Sequence, residues 1–238
     1  MTETASYSSQ GGRDYNEDSV GIYDGKTRQC VIVADGLGGH GGGKTASQTA
    51  VDILTEAFAE AENINEQWIG SVFEAVNTEV LSKQTSTCKM KTTCAGLFVE
   101  QDRALWAHLG DSRIYHFIDG QLVFCTVDHS VSQMAVLAGE ITQAQIRFHE
   151  DRNRVLRAFG AGEQVKPDIG GAQLSSGFHA FLLCSDGFWE YVLEGEMEID
   201  LTKSENPGEW IYYMTERLEK KVDGKNDNFT AAALFYQA

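Results

Sequence analysis

The order of its sequence patterns predicts an α+β fold in a single domain over residues 1–238. Strand-like segments arrive in runs, and helical segments are grouped between them instead of alternating with them. Hydrophobic residues make up 42% of the chain and aromatic residues 10%, which is enough for a sizeable core. Only two prolines occur and no linker-like stretch is apparent, so the sequence favours one domain over two.

Individual elements follow from composition and periodicity. Segments with the β-branched or aromatic content and the glycine or aspartate ends of strands are residues 30–36, 92–99, 104–110, 113–118, 121–127, 178–187 and 228–237. Asp119-Gly120 lies between two of them and predicts a β-hairpin. Helices are predicted for residues 44–62, 65–83, about 130–139, 142–150 and 208–222.

The chain is strongly acidic, with 19 basic and 35 acidic residues and a formal net charge of −16 at pH 7. Binding to nucleic acid or to an anionic membrane needs a basic surface, so neither partner is expected. The five cysteines form no C-x-x-C pair, and the first residues lack the pattern of a signal peptide. We therefore expect a cytoplasmic protein with reduced cysteines, and a monomer, because no pattern indicates oligomerisation.

Acidic residues at the ends of predicted strands point to chemistry. Asp35 and Asp186 each end an apolar strand and precede a glycine, Asp111 follows the strand at 104–110, and Asp227 precedes the last strand. Each one alone is typical of an ordinary turn. Charges at the ends of buried strands are costly unless they are compensated. If these ends converge, their hard oxygen ligands favour Mg²⁺ or Mn²⁺ over zinc.

Eight short motifs follow one another along most of the chain. They are RDYNED (13–18), VADGLGGH (33–40), KTAS (44–47), GDSR (110–113), TVDHS (126–130), RAFG (157–160), CSDG (184–187) and KNDNFT (225–230). In this order they resemble the metal-dependent protein phosphatases (the PPM family, type 2C serine/threonine phosphatases), and in particular single-domain bacterial members. The resemblance implies two packed antiparallel β-sheets flanked by α-helices on both sides. It also implies a flap at about residues 131–155, beside the active site.

The resemblance implies a set of metal ligands in this sequence. Asp35 matches a carboxylate that bridges two ions, and the carbonyl group of Gly36 would complete the second site. Asp186 and Asp227 match the other ligands of the first ion. Asp111 corresponds to a ligand of a third, weaker ion that many members bind.

The first motif supplies the implied catalytic residues. Glu17 and Asp18 match acids that hold metal-bound waters, and Arg13 matches the arginine that binds the substrate phosphate. The planar guanidinium group suits phosphate oxygens. The implied reaction is hydrolysis of phosphoserine and phosphothreonine by direct attack of a hydroxide that bridges two Mn²⁺ or Mg²⁺ ions. The implied partners are proteins phosphorylated by a cognate serine/threonine kinase.

The sequence departs from the family pattern near the site. Many eukaryotic members have histidine directly after the first Asp-Gly pair, whereas this chain has Leu37; His40 follows three residues later, either as a loop residue or as a catalytic one. At the fourth position after Asp186 the family often has aspartate, and this chain has Glu190, whose longer side chain reaches the third metal ion or weakens it.

Two other functions compete with this interpretation. Residues Gly38–Thr45 match the P-loop pattern G-x-x-x-x-G-K-T, in which Lys44 would bind nucleotide phosphates and Thr45 would hold Mg²⁺. A P-loop NTPase leaves the other motifs unexplained. The second alternative is a phosphoprotein-binding module without catalysis, although none of the implied ligand acids has been replaced. Cysteine-dependent phosphatase, serine-elbow and zinc-protease patterns do not occur in the sequence.

Overall fold

The computed structural model describes residues 2–38 and 42–238, and most of its strands belong to two large sheets. In chain order, the strands are β1 (Thr2–Ser9), β2 (Ser19–Asp24), β3 (Arg28–Ala34), β4 (Gly36–Leu37), β5 (Lys91–Thr92), β6 (Cys94–Glu100), β7 (Arg103–Leu109), β8 (Arg113–Ile118), β9 (Gln121–Cys125), β10 (Asp168–Gln173), β11 (Phe178–Cys184) and β12 (Phe229–Gln237). The helices are α1 (Gly42–Glu60), α2 (Glu66–Ser82), α3 (Val131–Leu137), α4 (Asp186–Trp189), α5 (Glu194–Thr202) and α6 (Pro207–Lys221), with a 3-10 helix at Gln143–Phe148.

Each large sheet has five strands, and all neighbours are antiparallel. One sheet has the order β1-β12-β11-β8-β9 and the other the order β10-β7-β6-β3-β2, while β4 and β5 form a small ladder. Buried side chains of the two sheets, among them Val33, Leu97, Leu183 and Leu234, share one apolar cluster. Because strands alternate the direction of their side chains, the opposite faces of both sheets remain for other elements.

Helices cover these outer faces. Phe58 of α1 and Phe73 of α2 are fully buried against the sheet that contains β3. Trp210 and Met214 of α6 are fully buried against the sheet that contains β12. The layers are therefore helix, sheet, sheet and helix, which confirms the predicted α+β fold with two antiparallel sheets between helices.

The predicted hairpin is present. Asp119 and Gly120 both have positive φ angles, of 49° and 84°, and Ile118 pairs with Gln121 across the turn. Two residues with positive φ form the tight turn that matches the twist of antiparallel strands, and glycine adopts this conformation without steric cost.

Three strands and two helices differ from the sequence analysis: β1, β2, β10 and α5 are not predicted, and α4 begins inside the segment 178–187 that is predicted as a strand. β1, β2 and β10 are partly exposed strands at the edges of the sheets, so their sequences, such as TETASYSS and DIGGAQ, lack a long apolar run. α5 has acidic residues at four of its nine positions, which obscures its apolar face. The helix predicted for 142–150 is a shorter 3-10 helix. None of the helices in the described residues combines the length and apolar character that a membrane crossing requires.

Helix α2 offers a local test of stability. The side chain of Asn65 accepts a hydrogen bond of 2.9 Å from the backbone N–H of Trp68 and so caps the helix. We expect Asn65→Ala to lower the free energy of unfolding by about 1 kcal/mol, because a backbone donor in the first turn loses its partner. Urea denaturation would measure this loss, and Asn65→Asp, which keeps the acceptor, should restore most of it.

Candidate active site

The acidic residues meet at one edge of the sandwich because of the strand directions. β3 and β7 both run antiparallel to β6, so their carboxyl ends, followed by Asp35 and Asp111, lie at the same edge. In the other sheet β11 runs antiparallel to β12, which brings the end of β11 close to the start of β12. Asp186 and Asp227 follow and precede these two ends. The fold thus converts four distant sequence positions into one cluster.

The cluster surrounds a cavity of about 420 Å³. The predicted site residues that line it are Arg13, Glu17, Asp35, Gly36, Asp111, Asp186 and Asp227. Asp18 is buried next to it, and its Oδ2 atom accepts a hydrogen bond of 2.8 Å from Ser185, the residue before Asp186. Ser185 therefore acts as a structural hydroxyl, which also accepts a hydrogen bond of 3.0 Å from the N–H of Thr230. Asn153 and Val155, which belong to the predicted flap, line the same cavity.

Burial, followed by mutual repulsion, makes the charged form of the acids in the cavity unfavourable. Burial, together with the negative charges of Asp18 and Asp186, raises the pKa of Asp35 well above its ordinary value. The pKa of Asp186 is raised in the same way by burial and by Asp111. Burial raises the pKa of Asp111 to about 7 and that of Asp18 to about 6. A site that holds so many acids in a low dielectric is stable only with protons or cations.

Unpartnered oxygen atoms identify where cations fit. Both carboxylate oxygens of Asp111, and Oδ1 of Asp18, are buried without a hydrogen-bond partner. Such atoms are rare in folded proteins unless an ion or water satisfies them. The donors are carboxylates and a backbone carbonyl group, which are the ligands that Mg²⁺ and Mn²⁺ prefer. The residues of this chain therefore fit divalent cations.

Arg13 compensates part of the negative charge of the acidic cluster in this structure. Its guanidinium group donates a hydrogen bond of 2.6 Å to Oδ2 of Asp227. Within the described residues no three Asp, Glu, His or Cys side chains are arranged as ligands of one ion. If Asp227 exchanged this partner for a cation, the guanidinium group would become available to an anion.

The loop that contains Asp35 and Gly36 is fixed by its backbone. The N–H group of Asp35 donates to Oγ1 of Thr93 over 3.0 Å, and its carbonyl oxygen accepts from Thr92 and Thr93. At Gly36 a Cβ atom would overlap the carbonyl oxygen of Gly43 at the start of α1. Only glycine fits this close approach, and its carbonyl group is held in place beside Asp35.

Asn228 organises the segment that carries Arg13 and Glu17, and the sequence analysis missed it. Its amide donates to the carbonyl oxygens of Gln10 and Tyr15, each over 2.8 Å, and its Oδ1 accepts from the N–H of Glu17. An asparagine can make all three bonds because it has two donors and an acceptor. The KNDN motif provides the signal, because its second asparagine follows directly after Asp227.

The buried guanidinium group of Arg113 helps to position the loop of Asp111 through Trp189. Arg113 forms a bidentate pair with Asp128, with distances of 2.8 and 2.7 Å, and its guanidinium carbon lies 3.5 Å from the centre of the Trp189 ring. The indole N–H of Trp189 donates to the carbonyl oxygen of Asp111 over 2.8 Å. Trp189 is buried, and it joins α4 to the loop that holds Asp111. Asp128 is a positioning residue that the sequence analysis did not identify.

Glu190 is engaged with the predicted flap. Its Oε1 atom accepts a hydrogen bond of 2.8 Å from Nε of Arg152, and the Glu190 side chain is 13% exposed. The charge of Glu190 is therefore compensated by Arg152, and this ion pair competes with binding of Glu190 to a third metal ion. The pair joins the segment 131–155 to α4, which begins with Asp186.

Removing this pair should loosen the segment locally. We expect Arg152→Gln to increase amide hydrogen exchange severalfold at residues 143–155, because the pair is only partly exposed and closes this segment onto α4. Hydrogen exchange followed by mass spectrometry would measure the change. Arg154→Gln is the matched control, since the ion pair that Arg154 forms among the described residues is with Asp151 in the same segment. Equal exchange in both variants would show that the Glu190 contact does not hold the segment.

The structure tests the predicted role of Lys44 in a P-loop but does not test the role of His40. His40 lies outside the described residues, and its role stays open. Lys44 lies in the first turn of α1, and its Nζ donates to the carbonyl oxygen of Asp18 over 2.6 Å and to Oγ of Ser19 over 2.9 Å. A P-loop lysine must reach a phosphate. These contacts tie Lys44 to the protein instead.

Comparisons with known proteins agree with this geometry. The sequence profile of the family described as "Protein phosphatase 2C" matches residues 7–227. The serine/threonine phosphatase stp of Listeria innocua is 35% identical over 196 residues, covering 78% of this chain and 77% of that protein. The crystal structure of the Mycobacterium tuberculosis serine/threonine phosphatase PstP/Ppp superposes with a TM-score of 0.87 at 27% identity, covering 100% of this chain and 99% of that one.

A further structure of the PstP catalytic domain is described as a complex with 2 manganese ions. It superposes with a TM-score of 0.83 at 26% identity and covers 98% of this chain and 97% of that one. The family profile spans most of the sequence, and the motifs that match it converge on one acidic cavity. The chain belongs to the protein phosphatase 2C (PPM) family of bacterial type and is a protein serine/threonine phosphatase.

Proposed function

We propose that the chain is a metal-dependent enzyme that hydrolyses phosphoserine and phosphothreonine in proteins with two Mn²⁺ or Mg²⁺ ions. The single observation that carries the proposal is the cluster of buried acids around the cavity, with unpartnered oxygens on Asp111 and Asp18. Two ions of this kind supply an activated water nucleophile and charge neutralisation for phosphoryl transfer. The manganese complex of the related PstP domain supports the same choice of ions.

Each residue of the chain then has a defined task. Asp35, with Asp186 and Asp227, would hold the first ion, and Asp35 with the carbonyl group of Gly36 would hold the second. Glu17 and Asp18 would accept hydrogen bonds from waters at these ions. Glu17 is fixed for this task because its Oε1 accepts from the N–H of Gly43 over 3.1 Å at the start of α1, where the helix dipole favours a negative charge.

Arg13 would orient the phosphoryl group. Its side chain lines the cavity, is 56% exposed, and among the described residues forms an ion pair with Asp227 alone. Once a cation neutralises Asp227, the planar guanidinium group can offer two parallel donors to phosphate oxygens. Its recognition of phosphate and the cation sites are therefore linked through Asp227.

The partners and surroundings follow from the same reaction. Phosphoproteins made by a cognate serine/threonine kinase are the proposed substrates, and a cytoplasmic monomer is the proposed form. Cys30, Cys94 and Cys184 are buried free thiols, which suits a reducing compartment. Asp111 is the proposed ligand of a third ion, and the Arg152–Glu190 pair supports weak binding there.

The test is phosphate release from a phosphothreonine peptide with Mn²⁺, with Mg²⁺ and with excess EDTA. We expect release with either ion and none with EDTA. ATP binding, measured by calorimetry on the wild type and on Lys44→Ala, tests the P-loop alternative. Tight ATP binding that Lys44→Ala abolishes, without peptide hydrolysis, would replace our proposal by an NTPase. Metal binding without hydrolysis of any phosphorylated substrate would indicate a phosphoprotein-binding module.

A further inference from the structure

A second cavity, of about 610 Å³, adjoins the active-site cavity. Leu37, Asn153 and Val155 line both of them, so the two form one continuous depression. The remaining lining residues of the second cavity are Lys89, Lys91, Arg154, Leu156, Ala158 and Ala161. We call this second part the basic groove.

The charge of the basic groove is opposite to that of the protein. The chain carries 35 acidic residues against 19 basic ones, yet three basic residues and no acidic residue line this groove within the described part of the chain. Random placement would give the groove an excess of acids. A local positive potential directly beside the catalytic cavity attracts an anionic ligand.

The basic side chains are available for a ligand. Lys89 and Lys91 are exposed and form no ion pair with any residue that the structure describes. Arg154 is 68% exposed and pairs at 3.1 Å with Asp151, three residues earlier. A surface pair of this kind contributes little energy, so a ligand carboxylate can replace Asp151.

The groove is also fixed relative to the catalytic cavity. Lys91 pairs with Leu37 across the β4–β5 ladder, and the next pair in that ladder joins Thr92 to Gly36. On the other wall, Val155 bridges to Ser130 at the start of the predicted flap. Lys91 therefore lies one residue along the ladder from the candidate metal ligand Gly36. Residues next to a phosphorylated side chain in the catalytic cavity would reach it.

We propose that the basic groove binds an acidic segment of the substrate protein on one side of the phosphorylated residue. The proposal rests on the proposed phosphatase function and assigns a substrate class to it: phosphoproteins with carboxylate side chains, or a second phosphate group, within a few residues of the phosphoserine or phosphothreonine. Leu37 and Leu156, the latter 53% exposed, add apolar surface for an apolar residue in the same segment.

The first experiment compares peptides that differ only beside one phosphothreonine. In each peptide the three residues directly before or directly after the phosphothreonine are all Asp, all Ser or all Lys. One further peptide has a second phosphothreonine at one of these positions. We expect Asp on one side to raise kcat/KM about tenfold over Ser, mainly through KM, and Asp on the other side to have little effect. The peptide with a second phosphothreonine tests whether a phosphate group can replace the carboxylates as the negative charge that the groove binds. Equal kcat/KM for the Asp and Ser peptides on both sides would overturn the proposal.

Variants assign the effect to the groove. Lys89→Gln/Lys91→Gln/Arg154→Gln should abolish the preference for Asp while the hydrolysis of p-nitrophenyl phosphate at saturating Mn²⁺ stays within about twofold, because this small substrate does not reach the groove. Lys89→Glu/Arg154→Glu should reverse the preference in favour of Lys. Lys26→Gln is the matched control, since Lys26 is exposed at the opposite end of β3 from Asp35. A preference that persists in the triple variant would exclude the basic groove.

Binding separates this proposal from the proposed function. If neither p-nitrophenyl phosphate nor any peptide is hydrolysed, the phosphatase function of the chain fails, and the groove is tested by fluorescence anisotropy of a labelled acidic peptide in EDTA. We expect the triple variant to bind this peptide several times more weakly than the wild type, and the difference to shrink as salt rises to 0.5 M. Equal binding by both proteins would overturn the proposal by itself.

Discussion

Asp35→Asn is expected to lower phosphatase activity by about three orders of magnitude or more and, at the same time, to stabilise the metal-free protein. The activity falls because the shared carboxylate contributes to both proposed ion sites, and metal catalysis is worth several kcal/mol. The stability rises because burial and repulsion by the neighbouring acids make an ionised Asp35 unfavourable, and asparagine carries no charge and requires no proton. We expect an increase of about 1–2 kcal/mol, or about 3–6 °C in Tm for a chain of this size.

The prediction is specific because activity should fall while the stability of the metal-free protein rises. A variant that merely unfolds the protein would lose both activity and Tm. Phosphate release and differential scanning calorimetry in EDTA measure the two effects on one preparation. Asp24→Asn is the matched control, because Asp24 is an exposed aspartate at the far end of the neighbouring strand β2 and should change neither quantity. A metal-free Asp35→Asn protein less stable than the wild type would refute the repulsion that we infer.

The metal-free protein should become less stable as the pH rises from 5 to 8. Burial raises the pKa of Asp111 from 3.8 to about 7, so the folded state binds this proton more tightly than the unfolded state does. For an acid whose pKa is raised on folding, stability is lost as the pH rises from the unfolded value to the folded one. Between pH 5 and pH 8 the loss amounts to at most about 3 kcal/mol for Asp111 alone.

Mn²⁺ should reverse this trend. Cations replace the protons on the carboxylates, so the increase in Tm caused by 1 mM Mn²⁺ should be small at pH 5 and largest at pH 8. Thermal unfolding at several pH values, with Mn²⁺ and with EDTA, measures both curves. Asp111→Asn should flatten the EDTA curve over the same range. A metal-free Tm that rises steadily between pH 5 and pH 8 would contradict the assignment.

The sequence predicts the centre of this fold better than its edges. The buried strands β3, β6, β11 and β12 have continuous apolar sequences because both of their faces are covered, and such runs are recognisable without a structure. The edge strand β1 has the polar sequence TETASYSS and becomes a strand through its pairing with β12. Pairing with a partner more than 200 residues away leaves no local signal in the sequence.

The same distinction applies to the site. The acids were recognisable because they interrupt apolar strands and match family motifs, and the structure brings them around one cavity. The residues that position them have ordinary local sequences. Nothing in the local sequence distinguishes Asp128 from other polar loop residues, because its role depends on its pair with Arg113. The same holds for Arg152, whose partner Glu190 lies 38 positions away in the sequence. Nor could the basic groove be predicted, since Lys89 and Arg154 come from segments that only the folded chain places together.

The pairing of β1 with β12 has a consequence for the synthesis of the enzyme. Asp227 precedes β12, Arg13 follows β1, and the two side chains meet although 214 positions separate them. A nascent chain that has not yet released β12 from the ribosome has no partner for β1, and it lacks a proposed metal ligand. Contacts between such distant segments form late in folding because closing a long loop costs entropy. Activity should therefore arise only after β12 has left the ribosome and paired with β1, which protects the phosphoproteins around the ribosome from a partly made phosphatase.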